Sequence, residues 1–291
     1  MRMCACRGTA GFAHVSCLAE QAKILYAEVE ESNLDWEVKD TRWKQWHKCS
    51  LCEQDYYGVV YCALGWACWK TYVGRPETDH VRCCAMSVLG NGLHAAKCYE
   101  DALSVKEAEL SMLRRLGASE DDMLIAQGNL ADTYGSLGRK EEALQMRRDV
   151  YSERLKLDGE EHERTMEAAY NYASSLIYNQ RFEEARSVLR RTVPMARRVL
   201  GEGNRLSLMM RWKYGKAICR ADGAALEDVR ESVTLLEETA RTARRVLGGA
   251  NPTALQIEQC LRGARATLHA RETGDMSAIR KAVEALTPGD A

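Results

Sequence analysis

The strongest constraint on this chain is that a stretch of it reads the same way twice at a spacing of 42 residues. "NLADTYGSLGRKEEALQMRRDVYSERLKLDGEEHERT", Asn129 to Thr165, aligns without a gap on "NYASSLIYNQRFEEARSVLRRTVPMARRVLGEGNRLS", Asn171 to Ser207. Asn129 pairs with Asn171, Ala131 with Ala173, Ala143 with Ala185 and Gly159 with Gly201. Gly117 lies 42 residues before Gly159, and Gly248 lies 47 after Gly201. The five additional residues fall in or near "RADGAALED", Arg220 to Asp228, a loop-like stretch. Self-similarity at a fixed period of this length implies stacked helix pairs. One pair cannot bury its apolar face alone and must bury it against the next.

Each repeat reads as two helices. Helix A carries small and apolar residues at i, i+3 and i+4. A turn such as "SLGR", Ser136 to Arg139, follows, and helix B begins near "EEAL". Helix B ends at "RRLG", Arg114 to Gly117, or at "RRVLG", Arg197 to Gly201 and Arg244 to Gly248. Glycine suits the left-handed residue beyond a helix C-terminus, and arginine meets the negative end of the helix dipole. The same arginine pairs would also serve as a binding stripe for acidic partners.

Composition supports a mainly α chain with two unlike parts. Of 291 residues only 7% are aromatic, with two phenylalanines and four prolines. Nine of the 12 cysteines lie in the first 84 residues, and five of the six tryptophans lie between Trp36 and Trp69. The shift divides the chain into 1–84, 85–272 and a tail, 273–291, whose Ser277–Leu286 holds one short helical pattern, either a cap on the stack or a loose tail. A net charge of −1 exerts no general pull on nucleic acid or anionic lipid. No apolar run is long enough to span a membrane, and "MRMCACRG" has no apolar signal core. The expectation is a cytoplasmic chain, with the nucleus left open, whose thiols are reduced and whose clustered cysteines point to metal rather than disulfides.

Three marks tie the repeats to a family: Asn129-Leu130-Ala131 opening helix A, "GRKEEA" from Gly138 and "LGGANPT" from Leu247. Over about residues 86–272 the chain resembles the tetratricopeptide repeats (TPR), in the 42-residue variant of kinesin light chains, with about four repeats and a terminal helix. The resemblance implies an α-solenoid whose helix-A groove takes a protein or peptide partner. It does not imply attachment to kinesin, since no heptad coiled coil is visible. Asn129 and Asn171 match the helix-A asparagine that contacts a peptide backbone in such repeats. Val88 and Lys213 occupy the equivalent positions in the first and last units. Local bonding at helix starts is the alternative role for both asparagines.

The cysteines carry the second motif. Zinc takes four thiolate or imidazole ligands in a tetrahedron, and a C-x-C or C-x-x-C turn delivers two of them from one short loop. Cys4 and Cys6 form one such pair and Cys49 and Cys52 another, enough for one closed structural site. His14 and Cys17 form half of a second. The order C-x-C-x7-H-x2-C…C-x2-C resembles the RING-CH (C4HC3) zinc finger, with "CACRGTAGFAHVSCL" close to that family's central segment. In the cross-brace this resemblance implies, Cys4, Cys6, Cys49 and Cys52 share one Zn2+, while the C-x-x-C partner of His14 and Cys17 is missing upstream. The chain is then either short of its true N-terminus or carries a finger reduced to one zinc. The long insert Leu18–Lys48 reads as amphipathic helix. "YYGVVYCAL", from Tyr56, reads as a short strand or a helix start, and Trp66, Trp69 and Tyr72 as packing between finger and first repeat.

Two functions follow. The first is an interaction scaffold, a structural finger before a peptide-binding solenoid. The alternative is a RING-CH-type ubiquitin ligase, in which the finger positions a ubiquitin-conjugating enzyme and the repeats choose the substrate. The finger would hold its zinc structurally, with no catalytic side chain. Trp46, three residues before Cys49, is the candidate contact to the conjugating enzyme. Phosphate-binding, nucleophile-elbow and metalloprotease motifs are all absent, and no basic patch with aromatic platforms suggests nucleic acid. His162 in "GEEHERT" belongs to the turn between repeats, as a packing or capping group.

Overall fold

The computed structural model describes residues 14–32, 34–51 and 53–274. Among them are twelve α-helices, one 3-10 turn and no strand. The chain divides into two compact units between Ala143 and Leu144.

The first unit holds α1 (Val15–Ser32), α2 (Trp36–Trp43), the 3-10 turn Lys44–Trp46, α3 (Gly58–Tyr72), α4 (His80–Ala95), α5 (Tyr99–Leu116) and α6 (Glu120–Ser136). The insert expected as amphipathic helix is two helices, because the Asp35 carboxylate accepts the Val38 amide at 3.0 Å and caps a new start. The segment left between strand and helix is helix α3, buried through Val60, Leu64 and Cys68. Glycine brings α3 and α4 together. A methyl group at Gly92 would stand 2.8 Å from the Tyr61 carbonyl oxygen, and one at Gly65 2.9 Å from that of Val88. Backbone meets backbone at both points, so no side chain can move aside.

A polar interior lies where α4, α5 and α6 meet. Lys106 and Glu109 are each only 2% exposed. The Lys106 ammonium donates to the Asn129 carbonyl at 2.9 Å and to Thr133 Oγ1 at 3.1 Å. Thr133 Oγ1 in turn lies 3.2 Å from His94 Nδ1, and the Ser87 hydroxyl donates to Glu109. Burial lowers the Lys106 pKa to about 8 and raises that of Glu109 to about 7, since both charged forms lose water.

α7 (Lys140–Leu157) enters the second unit at Leu144, and α8 (Glu163–Tyr178), α9 (Phe182–Val199), α10 (Arg205–Arg220), α11 (Leu226–Leu247) and α12 (Pro252–Thr273) complete it. Leu208, Val233, Leu236, Ala240, Ile257 and Leu261 pack into one apolar cluster, and Arg211, Ser207, Ser232 and Thr239 are buried in the same unit. The period shows in the helix ends. His162 Nδ1 accepts the Arg164 amide, Asn204 Oδ1 that of Leu206 and Asn251 Oδ1 that of Thr253, at 3.2, 2.8 and 2.9 Å. Gly159, Gly201 and Gly248 all take positive φ, 83°, 90° and 86°, the left-handed turn that a residue with a side chain disfavours. The additional residues lengthen the connection between α10 and α11 to five residues against three between α8 and α9, and lengthen α11 to 22 residues against 18 in α9.

Candidate partner-binding face

α8, α10 and α12 are the A helices of the second unit, and α10 packs between the other two. On α10 the buried residues Ser207, Leu208, Met210, Arg211, Gly215, Ala217 and Ile218 fill one side. At 100° per residue the opposite side carries Arg205, Met209, Lys213, Lys216 and Arg220. Four cations thus share one face with no anion. Among the described residues none of Arg205, Lys213, Lys216 and Arg220 has a carboxylate within 4.0 Å. Lys213 lies with its ammonium 4.5 Å from the centre of the Trp212 ring. Burial lowers its pKa to about 8, and the neighbouring Lys216 charge adds to the effect.

The neighbouring α8 offers polar groups at the same level. Arg164, Glu167, Asn171 and Tyr178 are exposed and fall on one side of the helix. Asn171 keeps a side chain open to solvent while its carbonyl accepts Arg147 Nη1 at 3.0 Å. In the first unit the half-buried Asn129 accepts Lys106 in the same manner. Neither asparagine opens a helix. α6 begins at Glu120 and α8 at Glu163, because the caps Ser119 and His162 lie well upstream. The local role at helix starts is therefore excluded for both.

The arginine pairs at the ends of B helices are largely engaged. Arg115 meets Glu77, Arg197 meets Glu202 and Arg244 meets Glu258, each within 2.6 Å, and Arg198 meets Glu161. They close ion pairs rather than forming a free stripe. The cationic face lies on α10 instead, and the 8, 3 and 4 residue steps from Arg205 to Arg220 are the signal in the sequence that marks it.

Residues 165–205 match the tetratricopeptide repeat family. No curated protein sequence matches the chain. Among solved structures, a putative kinesin light chain with nearly identical TPR-like repeats from Podosopora anserina is 18% identical, with a TM-score of 0.56 over 74% of this chain and 100% of that one. A point variant of that same protein is 19% identical, with a TM-score of 0.57 over 70% of this chain and 93% of that chain. BtubC (BKLC) from P. vanneervenii is 14% identical, with a TM-score of 0.54 over 96% of both chains. The fold is that of a tetratricopeptide-repeat protein. The H/N position in "LG-x-x-H/N" is the helix cap, His162 or Asn251.

In the tetratricopeptide-repeat fold the remaining predicted site residues are placed as follows. Cys4, Cys6 and Cys52 lie outside the described residues. His14 and Cys17 come together at the start of α1, with Cys17 Sγ 3.9 Å from His14 Nδ1. Cys49 is buried beside Tyr56, Val60 and Leu64. Among the described residues no three His, Cys, Asp or Glu side chains gather as a metal site. Trp46 is wholly buried, against Cys68, Tyr72, Ala85 and Val88. Its ring edge meets Tyr72 at 6.0 Å between centroids, so the indole expected to meet a conjugating enzyme belongs to the core. No described helix is long and apolar enough to cross a membrane.

Proposed function

We propose that this chain is a protein-interaction scaffold, and that the face formed by α8, α10 and α12 takes an acidic, extended segment of a partner protein. The single observation that carries the reading is the uncompensated set Arg205, Lys213, Lys216 and Arg220 on α10. A half-buried ammonium without a counter-ion is held at a cost, and an incoming carboxylate would offset it. Asn171 would bond the partner's backbone, and the Trp212 ring would support Lys213. The test is titration of a labelled acidic peptide and its lysine-substituted counterpart against the protein and a Lys213→Glu/Lys216→Glu variant. The acidic peptide should bind, lose about tenfold or more in the variant and weaken steeply with salt. Equal binding of both peptides would sink the proposal.

A second reading concerns the finger. The hairpin at Cys49 favours a structural zinc held by Cys4, Cys6, Cys49 and Cys52. The Cys49 amide donates to the Gln54 carbonyl at 2.9 Å, the Glu53 amide to the Cys49 carbonyl at 2.9 Å, and Glu53 takes a left-handed φ of 55°. The backbone thus doubles back between Cys49 and Gln54, and a two-thiolate turn there would use a short loop of this kind. Zinc there would stabilise the fold and leave no open position for chemistry. Ubiquitin transfer is not part of this proposal, because Trp46 is enclosed. Elemental analysis should find about one zinc per chain, lost in Cys49→Ser; a metal-free protein would remove the site.

A further inference from the structure

The B helices of the second unit carry a separate feature. An open cleft of about 670 Å³ runs between α9 and α11, away from the cationic face of α10. We propose that this cleft is a second docking surface, built for an amphipathic partner helix with acidic residues along one flank and basic residues along the other.

The two walls differ in charge. α9 contributes Arg190 and Arg197, and α11 contributes Glu227, Glu231 and Glu238 together with Arg230, whose charge is taken up by Glu227 and Glu272. Arg190 and Arg197, like Glu231 and Glu238, are seven residues apart, two helical turns or about 10.5 Å. The helices run in register, since Arg186 Nη2 pairs with Asp228 Oδ1 at 2.6 Å one turn earlier. The far end is tied as well: Glu202 holds both Arg197 and Arg211, and Arg211 reaches Glu238. Arg190 and Glu231, near the middle of the cleft, make no ion pair among the described residues.

The floor between the walls is apolar. Val193 and Pro194 of α9, Leu235 of α11 and the Tyr214 ring of α10 form it. Pro194 has no amide hydrogen, so it cannot donate the usual i−4 helical bond to the carbonyl of Arg190. The occupant therefore needs an apolar seam for the floor and two unlike charged flanks. Spacing decides its conformation. A helix repeats a flank residue every seven positions over about 10.5 Å, matching both walls. An extended chain would advance about 23 Å over the same seven residues and miss the second charge. A row of side chains fills the cleft, and the partner's backbone lies above it.

The test uses three labelled 21-residue helical peptides with the same leucine seam, followed by fluorescence polarisation. One carries Glu on one flank and Lys on the other, one Glu on both and one Lys on both. The split peptide should bind about tenfold more tightly than either of the others. Arg190→Glu, which breaks no ion pair, should lower that affinity and shift preference to the peptide with Lys on both flanks, with an unchanged melting curve. Equal binding of all three peptides, or binding of none, overturns the proposal. So does loss of split-peptide binding in Lys213→Glu/Lys216→Glu, which would place that peptide on the α10 face. Retention in that variant separates this cleft from the first proposed surface.

Discussion

In the second unit α10 and α11 meet through Leu208, Val233 and Leu236. In the first, α4, α5 and α6 meet around a lysine, a glutamate, a serine and a threonine. Both units hold apolar clusters, yet the α10–α11 contact rests mainly on transfer of apolar surface out of water, whereas the junction of α4, α5 and α6 adds buried polar groups that each need a particular partner. An apolar core accepts any arrangement of the right volume. A buried polar cluster is stable only when its members are satisfied. Here Glu109 Oε2 has no hydrogen-bond partner. The first unit also depends on a backbone-to-backbone approach at Gly65 and Gly92, whereas the close approach at Gly215 in the second is to the Leu236 side chain.

The comparison is sharpened first by truncation. Leu236→Ala removes a fully buried side chain and should cost about 2–5 kcal/mol, read from the urea midpoint, with hydrogen exchange accelerating in α10–α12. Gly92→Ala, the counterpart in the first unit, should cost about 1–3 kcal/mol through overpacking against the Tyr61 carbonyl, with exchange accelerating in α3 and α4. A neutral result would mean that the two helices slide apart freely.

A smaller effect separates the interiors by pH. Glu109 is raised from 4.5 to about 7, so the folded state holds a proton there that the unfolded state has lost. Its contribution is complete below pH 4.5 and fades as pH rises through 7. Lys106 is lowered from 10.5 to about 8, so stability recovers as pH climbs from 8 to 10.5. Glu109→Gln keeps an acceptor for Ser87 and should abolish the decline between pH 5 and 7, measured as the difference in urea midpoint from wild type. An identical decline in both proteins would show that Glu109 ionises without penalty.

The smallest effects belong to the ion pairs that bridge helices 42 residues apart, Arg186–Asp228 and Arg230–Glu272. Replacing either arginine by alanine should cost no more than about 1 kcal/mol, less at high salt, in thermal melts. A larger loss would give the second unit a polar framework like that of the first.

Much of the repeat is legible in the sequence because its marks act locally. Glycine at a left-handed turn and asparagine or histidine at a cap do their work within a few residues, so a 42-residue period exposes them. The same pattern places the start of helix A too late, at Asn129 and Asn171, because these conspicuous residues draw the eye from the caps upstream. The insert reads as one helix because its apolar pattern continues past Asp35, and the cap there competes with that pattern. The α10 face is only half visible in the letters. Lys213 stands out as a replaced asparagine, while Arg205, Lys216 and Arg220 become a face only when wound at 100° per residue.

By itself, then, the sequence determined the helix pairs, their period and their ends, since these rest on bonds between neighbours along the chain. Tertiary structure alone decided which charges are satisfied. Arg197 and Lys213 are both cations in the sequence, yet one meets Glu202 and the other is half-buried against a tryptophan ring. It also decided that Trp46 faces inward and that Lys106 is buried. Burial and counter-ions depend on residues far away in the chain, and no local pattern encodes them.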